Sequence, residues 1–222
     1  MALYPVNLSI QGRLCLVVGG GKVAVRKIEA LLPCGADVRV ISPAAEKRIV
    51  DYSARGLLRW EKRSYKTGDL QGAMLVFAAT DNEAVQAAVI AEANELQIPV
   101  NVVTRPEACT FHVPASMQRG DLLITAATGG ASPALAARIR CELEEKYGVE
   151  YEYLLILMAA VRRAVLEQGG TQKEHKALFE RILDSGIKAQ IREKRWGDVE
   201  DLLRTILPPS CDIPALLASI EH

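Results

Sequence analysis

The sequence predicts an α/β chain: a parallel sheet covered by helices, then a small α+β segment, then a wholly helical tail. Three observations carry this. Short apolar runs alternate with helical patterns over residues 14–103, the mark of βαβ units and a parallel sheet. The first apolar run ends in Gly19-Gly20-Gly21 and passes directly into helical spacing. From Tyr151 onward the periodicity is helical only, broken at Gly169-Gly170, near Ser185-Gly186 and at Pro208-Pro209.

The elements follow in order. Strand one is expected at 14–18 and the first helix continues from Val23 through Ala24, Ile28, Leu31 and Leu32 at helical spacing. Cys34-Gly35-Ala36-Asp37 stops that helix, and the second strand covers 38–42. A helix over 44–55 and a third strand at 58–62 come next. The apolar run 74–79 reads as a strand buried on both faces, followed by a helix over 83–95 capped by Asp81 or Asn82. Another strand is expected at 99–103. After Pro106 the character changes, with two strands at 110–114 and 121–127. Thr128-Gly129-Gly130-Ala131-Ser132-Pro133 forms a second glycine turn, and Ser132 caps a helix over 133–146 with Pro133 at its first position. There is no internal repeat and no low-complexity tract.

The first turn has the G-x-G-x-x-A form of a Rossmann-type dinucleotide site. Gly19 permits the sharp turn, Gly20 follows it, and Gly21 lets the backbone approach a pyrophosphate. Lys22 and Val23 open the helix, whose free N–H groups favour anionic phosphates, and Ala24 lets the helix lie close to the sheet. The bland alternative is a glycine turn that binds nothing, but the strand before it and the helix after it favour a nucleotide. An acidic residue is expected at the end of the second strand to hold the ribose; Ser42-Pro43 stands there instead. A hydroxyl can reach the ribose, which keeps NAD open. Arg39, the one basic group that would invite NADP, reads as a solvent-facing strand residue. Thr80-Asp81, at the end of the buried fourth strand, lies where ligands bind in doubly wound sheets, and also where the next helix is capped.

The chain has 222 residues, half of them hydrophobic, and 27 basic side chains balance 27 acidic ones. That balance points to neither nucleic acid nor an anionic membrane as partner. No apolar run approaches a membrane span, and Met1 to Leu8 does not read as a leader. Cys15, Cys34, Cys109, Cys141 and Cys211 are odd in number and lack any C-x-x-C pair, which favours reduced thiols in a cytoplasmic protein over a disulfide frame or metal site. Glu221-His222 is read as a terminal stub without function.

The ordered motifs Gly19-Gly20-Gly21-x-Val23-Ala24-x-Arg26-Lys27, Ala78-Ala79-Thr80-Asp81, Asn101-Val102-Val103, Phe111-x-x-Pro114 and Thr128-Gly129-Gly130-x-Ser132-Pro133 resemble the sirohaem synthase N-terminal module family. The resemblance covers essentially the whole chain. It implies three parts: a Rossmann domain at 1–113, a dimerisation segment at 114–150 exchanged between the subunits of a homodimer, and a helical domain at 151–222. It implies NAD-dependent oxidation of precorrin-2 to sirohydrochlorin, followed in bifunctional members by iron insertion. Those members carry an aspartate directly after Asn-Val-Val, which the resemblance implies is a general base for both dehydrogenation and chelation. Thr104 stands here, and a neutral hydroxyl cannot take a proton as a carboxylate does, which leaves the base of the dehydrogenase unassigned. A monofunctional dehydrogenase is therefore expected, with the bifunctional enzyme as alternative. His112 is the substitute base or metal contact, and Glu107 the other acidic candidate; the bland readings are a satisfied strand histidine and a turn residue.

The resemblance places Thr128, Gly129 and Gly130 at the substrate cleft, where a turn and helix cap would be the simpler account. The substrate is a polycarboxylate, so arginines should pair with it; Arg105, Arg119 and Arg138 lie near the matched motifs. A rival from another class is a non-catalytic nucleotide sensor acting through its helical tail, to which the second glycine turn and the Asn-Val-Val segment are superfluous.

Overall fold

The computed structural model describes residues 3–220; Met1, Ala2 and the terminal pair Glu221-His222 lie outside the described residues. Two compact units divide the chain, one ending at Val113 and the other beginning at Pro114.

In the first unit, five parallel strands are formed among the described residues: β1 (Leu14–Val18), β2 (Asp37–Ile41), β3 (Arg59–Glu61), β4 (Leu75–Ala78) and β5 (Val100–Val102). Their spatial order is β3-β2-β1-β4-β5, so the winding reverses between β1 and β4 and opens a crevice at the strand ends there. Helices α1 (Lys22–Leu31), α2 (Lys47–Ala54) and α3 (Glu83–Glu95) cover the sheet. Alternation along the strands sends Cys15, Val17, Val40 and Phe77 to the face packed by Ala24 and Ile28 of α1 and Ile49 of α2. Leu16, Val18, Val76 and Val100 go to the other face, against Val89 and Ala93 of α3. Burial on both faces is why β1 and β4 read as unbroken apolar runs. Burial first, then the charges of Asp37 and Cys34, push the Cys15 thiol up to about 11, so it is a protonated core group.

Three expectations need correction. The helix over 44–55 starts only at Lys47, because 42–46 is tied to the glycine turn: Glu46 N–H donates to Gly20 C=O at 2.8 Å. Arg39 does not face solvent. It is partly buried, donates to the Asp69 carbonyl and lies 3.9 Å from Glu61. The expected strand 110–114, and with it His112 as a strand residue, does not form. Thr110 binds Val100 through both its N–H (2.9 Å) and its hydroxyl, which accepts from Val100 N–H at 2.8 Å. Asn101 Nδ2 holds the Phe111 carbonyl at 3.1 Å, and the Phe111 ring stands edge-on to Phe77 at 5.3 Å. One backbone bond and two side-chain bonds thus occupy the β5 edge in place of a ladder, and Pro114 has no N–H to extend one.

Glu92, 5 % exposed, is the acceptor for the loop before β4. It takes the Tyr65 hydroxyl, Gly68 N–H (3.0 Å) and Leu70 N–H (3.0 Å). Glu92→Gln turns one acceptor oxygen into a donor and leaves a buried N–H facing it. We expect a loss of about 1–2 kcal/mol, roughly 2–8 °C in Tm, by calorimetry; an unchanged Tm would remove Glu92 from this role.

In the second unit, β6 (Ala115–Arg119) and β7 (Leu122–Ala126) form an antiparallel hairpin around Gly120-Asp121, and α4 (Pro133–Lys146) packs on it. Then come α5 (Glu150–Glu167), α6 (Gln172–Asp184), α7 (Ile187–Arg192), α8 (Trp196–Ile206) and α9 (Ile213–Ala218). Leu157, Val161, Ile182, Ile187, Ile191 and Leu203 form the centre of this helical core. Thr171 and Glu174 make a reciprocal cap on α6, and Gly186 (φ 81°) turns into α7. The break between α7 and α8 has no glycine or proline; Lys194 itself takes the left-handed conformation (φ 55°), which is why helical periodicity alone passed over it. All five cysteines are unpaired. Among the described residues, no helix is long and apolar enough to cross a membrane.

Candidate functional site

The site is built where β1 and β4 end side by side. Gly19 N–H donates to Ile41 C=O at 2.9 Å and Ala79 N–H to Val18 C=O at 2.8 Å, so three strand ends are laced together beneath the turn. The three glycines serve different ends. Gly19 has φ 124°, and a Cβ there would lie 2.2 Å from the Ala79 oxygen. A Cβ on Gly20 would lie 2.1 Å from the Ala44 oxygen. Gly21 has φ −85° and ψ −174°, which any residue adopts, and a Cβ there would meet nothing within 4 Å. The first two glycines are required by packing; the third faces open space. Helix α1 begins at that open space with no side chain capping its first N–H groups. Free amides, a helix dipole and an unobstructed backbone are what a pyrophosphate requires, so the residues present fit a dinucleotide.

Around this turn, Lys22 is exposed and Val23 half-buried, while Ala24 is fully buried against the sheet. Lys27 is turned over the Phe77 ring, 5.5 Å from its centroid; burial and the Arg26 charge lower its pKa from the ordinary lysine value. Ser42 departs from the expected geometry. It is 8 % exposed, and its hydroxyl donates to Ala44 C=O at 2.6 Å, so it is spent on its own loop; Pro43 beside it is exposed.

At the β4 end, Asn82 rather than Asp81 caps α3, accepting Val85 N–H at 3.0 Å. Asp81 is left exposed. The Thr80 carbonyl accepts from Gln86 Nε2, and Gln86 Oε1 accepts from the Thr104 hydroxyl at 2.9 Å. Gln86, 1 % exposed, therefore joins the loop after β4 to the loop after β5. The sequence reading passed it over. Its signal was a glutamine at the head of an otherwise apolar stripe, Gln86, Val89 and Ala93, at helical spacing.

Arg105 lies on the same edge with Nη2 3.9 Å from Glu83. His112 is exposed, and no hydrogen bond among the described residues joins it to Thr104 or Thr80. Glu107 is likewise exposed. A recess of about 420 Å³ lies between α1 and the start of α2, lined by Lys22, Val25, Arg26, Glu29, Glu46 and Arg48; it flanks the turn and is not lined by Gly19, Thr80 or Thr104.

The second unit carries the remaining candidates. Thr128 uses its hydroxyl inside its own turn, donating to Ser132 C=O at 3.1 Å and accepting Ser132 N–H at 3.2 Å. Gly129 (φ 61°) and Gly130 (φ 85°) are left-handed, and Ser132 caps α4 through Leu135 N–H at 3.2 Å. Arg119 donates to the carbonyls of Gln118 and Glu144. Arg138 forms a surface pair with Glu142 at 3.2 Å. Among the described residues, no group of three His, Cys, Asp or Glu side chains is placed to share a metal ion.

A glycine turn at the reversal of strand order, with open space at its third glycine, defines a dinucleotide-binding domain of the Rossmann type. Residues 6–115 match the family described as "Putative NAD(P)-binding". The chain is 38 % identical over 203 residues to a siroheme synthase of Methylococcus capsulatus, covering 91 % of this chain and 43 % of that protein. It is 37 % identical over 191 residues to a siroheme synthase of Methylobacillus flagellatus, covering 86 % of this chain and 41 % of that one. The chain thus spans less than half the length of these curated relatives. Among solved structures it is similar to SirC, precorrin-2 dehydrogenase, with a TM-score of 0.73 and 28 % identity, over 92 % of this chain and 98 % of that one. The chain is thus similar to part of the siroheme synthases and, over nearly the whole of both chains, to SirC.

Proposed function

We propose that this chain is a monofunctional, NAD-dependent precorrin-2 dehydrogenase that yields sirohydrochlorin. The observation that carries the reading is the similarity to SirC across nearly the full length of both chains, together with a glycine turn shaped for a dinucleotide. NAD held at the glycine turn would supply the hydride-accepting chemistry. The protein binds and orients the two partners, excludes water between them and receives the proton that leaves with the electron pair.

Gly19 to Ala24 hold the pyrophosphate, with Ser42-Pro43 and Thr80-Asp81 flanking the two nucleosides. Thr104 stands at the end of β5, in the position after Asn101-Val102-Val103 where chelating relatives of the resemblance carry aspartate. Its hydroxyl donates to Gln86 Oε1 and takes up no proton at neutral pH, which supports a protein without iron insertion and leaves the proton of dehydrogenation to another group. His112 is the candidate proton acceptor, exposed and of the right chemistry. Arg105, Arg119 and Arg138, with the turn at Thr128, Gly129 and Gly130, are the candidate contacts for the carboxylates of the substrate.

The active species is a homodimer exchanging segment 114–150. Leu123, Leu135 and Val149, apolar yet 45–51 % exposed in one chain, support a covered surface there. Five unpaired cysteines support a reducing, cytoplasmic setting.

The test is NADH formation from NAD and precorrin-2 by the purified protein, beside iron insertion into separately supplied sirohydrochlorin. Oxidation without insertion is expected; binding of NAD without turnover would replace the reading with a nucleotide sensor. His112→Ala should lower kcat by about a hundredfold or more, the ordinary worth of a general base. An unchanged kcat would hand the proton to solvent.

A further inference from the structure

We propose that Gln86 is a positioning residue for the hydride-transfer end of the site, turning the Thr104 hydroxyl into a pure hydrogen-bond acceptor for an N–H donor of the bound ligands. The inference rests on the dehydrogenase reading and adds to it a residue and a direction of hydrogen bonding.

The direction follows from a chain of forced roles. A backbone carbonyl accepts only, so the Gln86 atom facing Thr80 C=O is the donor Nε2. The other terminal atom, Oε1, accepts only, so the hydroxyl 2.9 Å away must donate to it. Thr104 thereby commits its single O–H donor to the interior and keeps its lone pairs for the exposed side. Gln86 cannot swing out to relax this, since it is 1 % exposed and sits in the first turn of α3, whose start is held by the Asn82 cap. The pair also ties the loop after β4, which carries the candidate cofactor contacts Thr80 and Asp81, to the loop after β5. An aspartate at 104 would offer no proton to Oε1. The glutamine and the threonine are therefore matched to each other.

Two ligands present suitable N–H groups, the carboxamide of the nicotinamide and the pyrrolic rings of the tetrapyrrole. The experiment is a double-mutant cycle of Gln86→Met and Thr104→Val, read by calorimetric NAD affinity and by kcat and KM for precorrin-2. Each single change should cost about tenfold, the worth of one such hydrogen bond, and the double variant should be no worse than Thr104→Val alone. A rise in the NAD Kd assigns the donor to the carboxamide; a change in the precorrin-2 parameters alone assigns it to the ring. Multiplying effects, near a hundredfold in the double variant, would overturn the inference, as would Thr104→Val at wild-type values of all three quantities.

Should Gln86→Met fail to fold, Gln86→Glu keeps the shape. Its carboxyl can donate to Thr80 only when protonated, and burial raises its pKa. Activity or NAD affinity should then fall with rising pH along a limb absent from the wild type. A profile parallel to wild type would overturn the inference. If the wild type binds NAD but leaves precorrin-2 untouched, the dehydrogenase reading fails instead, and the cycle on NAD affinity still decides whether Gln86 acts through Thr104.

Discussion

Gly21→Ala is expected to weaken NAD binding by tenfold or more, about 1.4 kcal/mol, while the protein stays folded. A Cβ at position 21 meets no protein atom within 4 Å and the backbone there is extended. The only folding cost is that alanine caps a helix less well than glycine, about 0.5–1 kcal/mol. The methyl would occupy the space left for the ligand. Gly19→Ala should behave in the opposite way. At φ 124° with the Ala79 oxygen 2.2 Å from the new atom, backbone strain and overpacking together cost about 2–4 kcal/mol, roughly 4–16 °C in Tm. Gly20→Ala, aimed at the Ala44 oxygen at 2.1 Å, should fall with Gly19→Ala. Paired thermal melts and NAD titrations check this. Equal NAD affinity in Gly21→Ala and wild type would place the ligand elsewhere.

Glu150→Ala is expected to destabilise the second unit by about 2–3 kcal/mol at neutral pH, roughly 4–12 °C in Tm. Glu150 opens α5 at 3 % exposure and accepts Arg192 Nε at 3.0 Å. Burial pushes its carboxyl up, but the Arg192 hydrogen bonds and charge, with the N–H groups of Glu150 and Gly148, outweigh burial. They hold it below the ordinary 4.5. A carboxyl lowered by folding stabilises the native state fully above its unfolded pKa, and that contribution is lost as pH falls through the folded value. The gap between wild type and variant should therefore be constant above pH 4.5 and shrink below it. A gap that widens on acidification would contradict the assigned pairing.

Local signals were sufficient wherever one element carries its own instructions. The G-x-G-x-x-A turn, the runs at β1 and β4, the Ser132-Pro133 start of α4 and the glycine breaks of the tail all lie within a few residues of what they specify. The turn at 42–46, the fate of 110–114 and the break at Lys194 were not legible in that way. In the first two, a partner outside the segment decides: Gly20 captures Glu46, and Asn101 and Val100 capture Phe111 and Thr110. In the third, a lysine takes a glycine's conformation and bonds back to Ile191. Ser42 and Thr128 show the same limit at the level of one hydroxyl. Both stand where a ligand contact was expected, and both bond a backbone carbonyl in their own turn.

By itself the sequence determined the kind of domain, the place of the dinucleotide turn and the absence of a carboxylate after Asn101-Val102-Val103, because periodicity, glycine placement and residue identity are local properties. Only the tertiary structure decided that Gly19 and Gly20 serve packing while Gly21 faces open space. It also decided that Thr104 has its proton turned inward by Gln86. Those distinctions depend on which atoms of other strands and helices come within 3 Å, and no spacing along one strand encodes that.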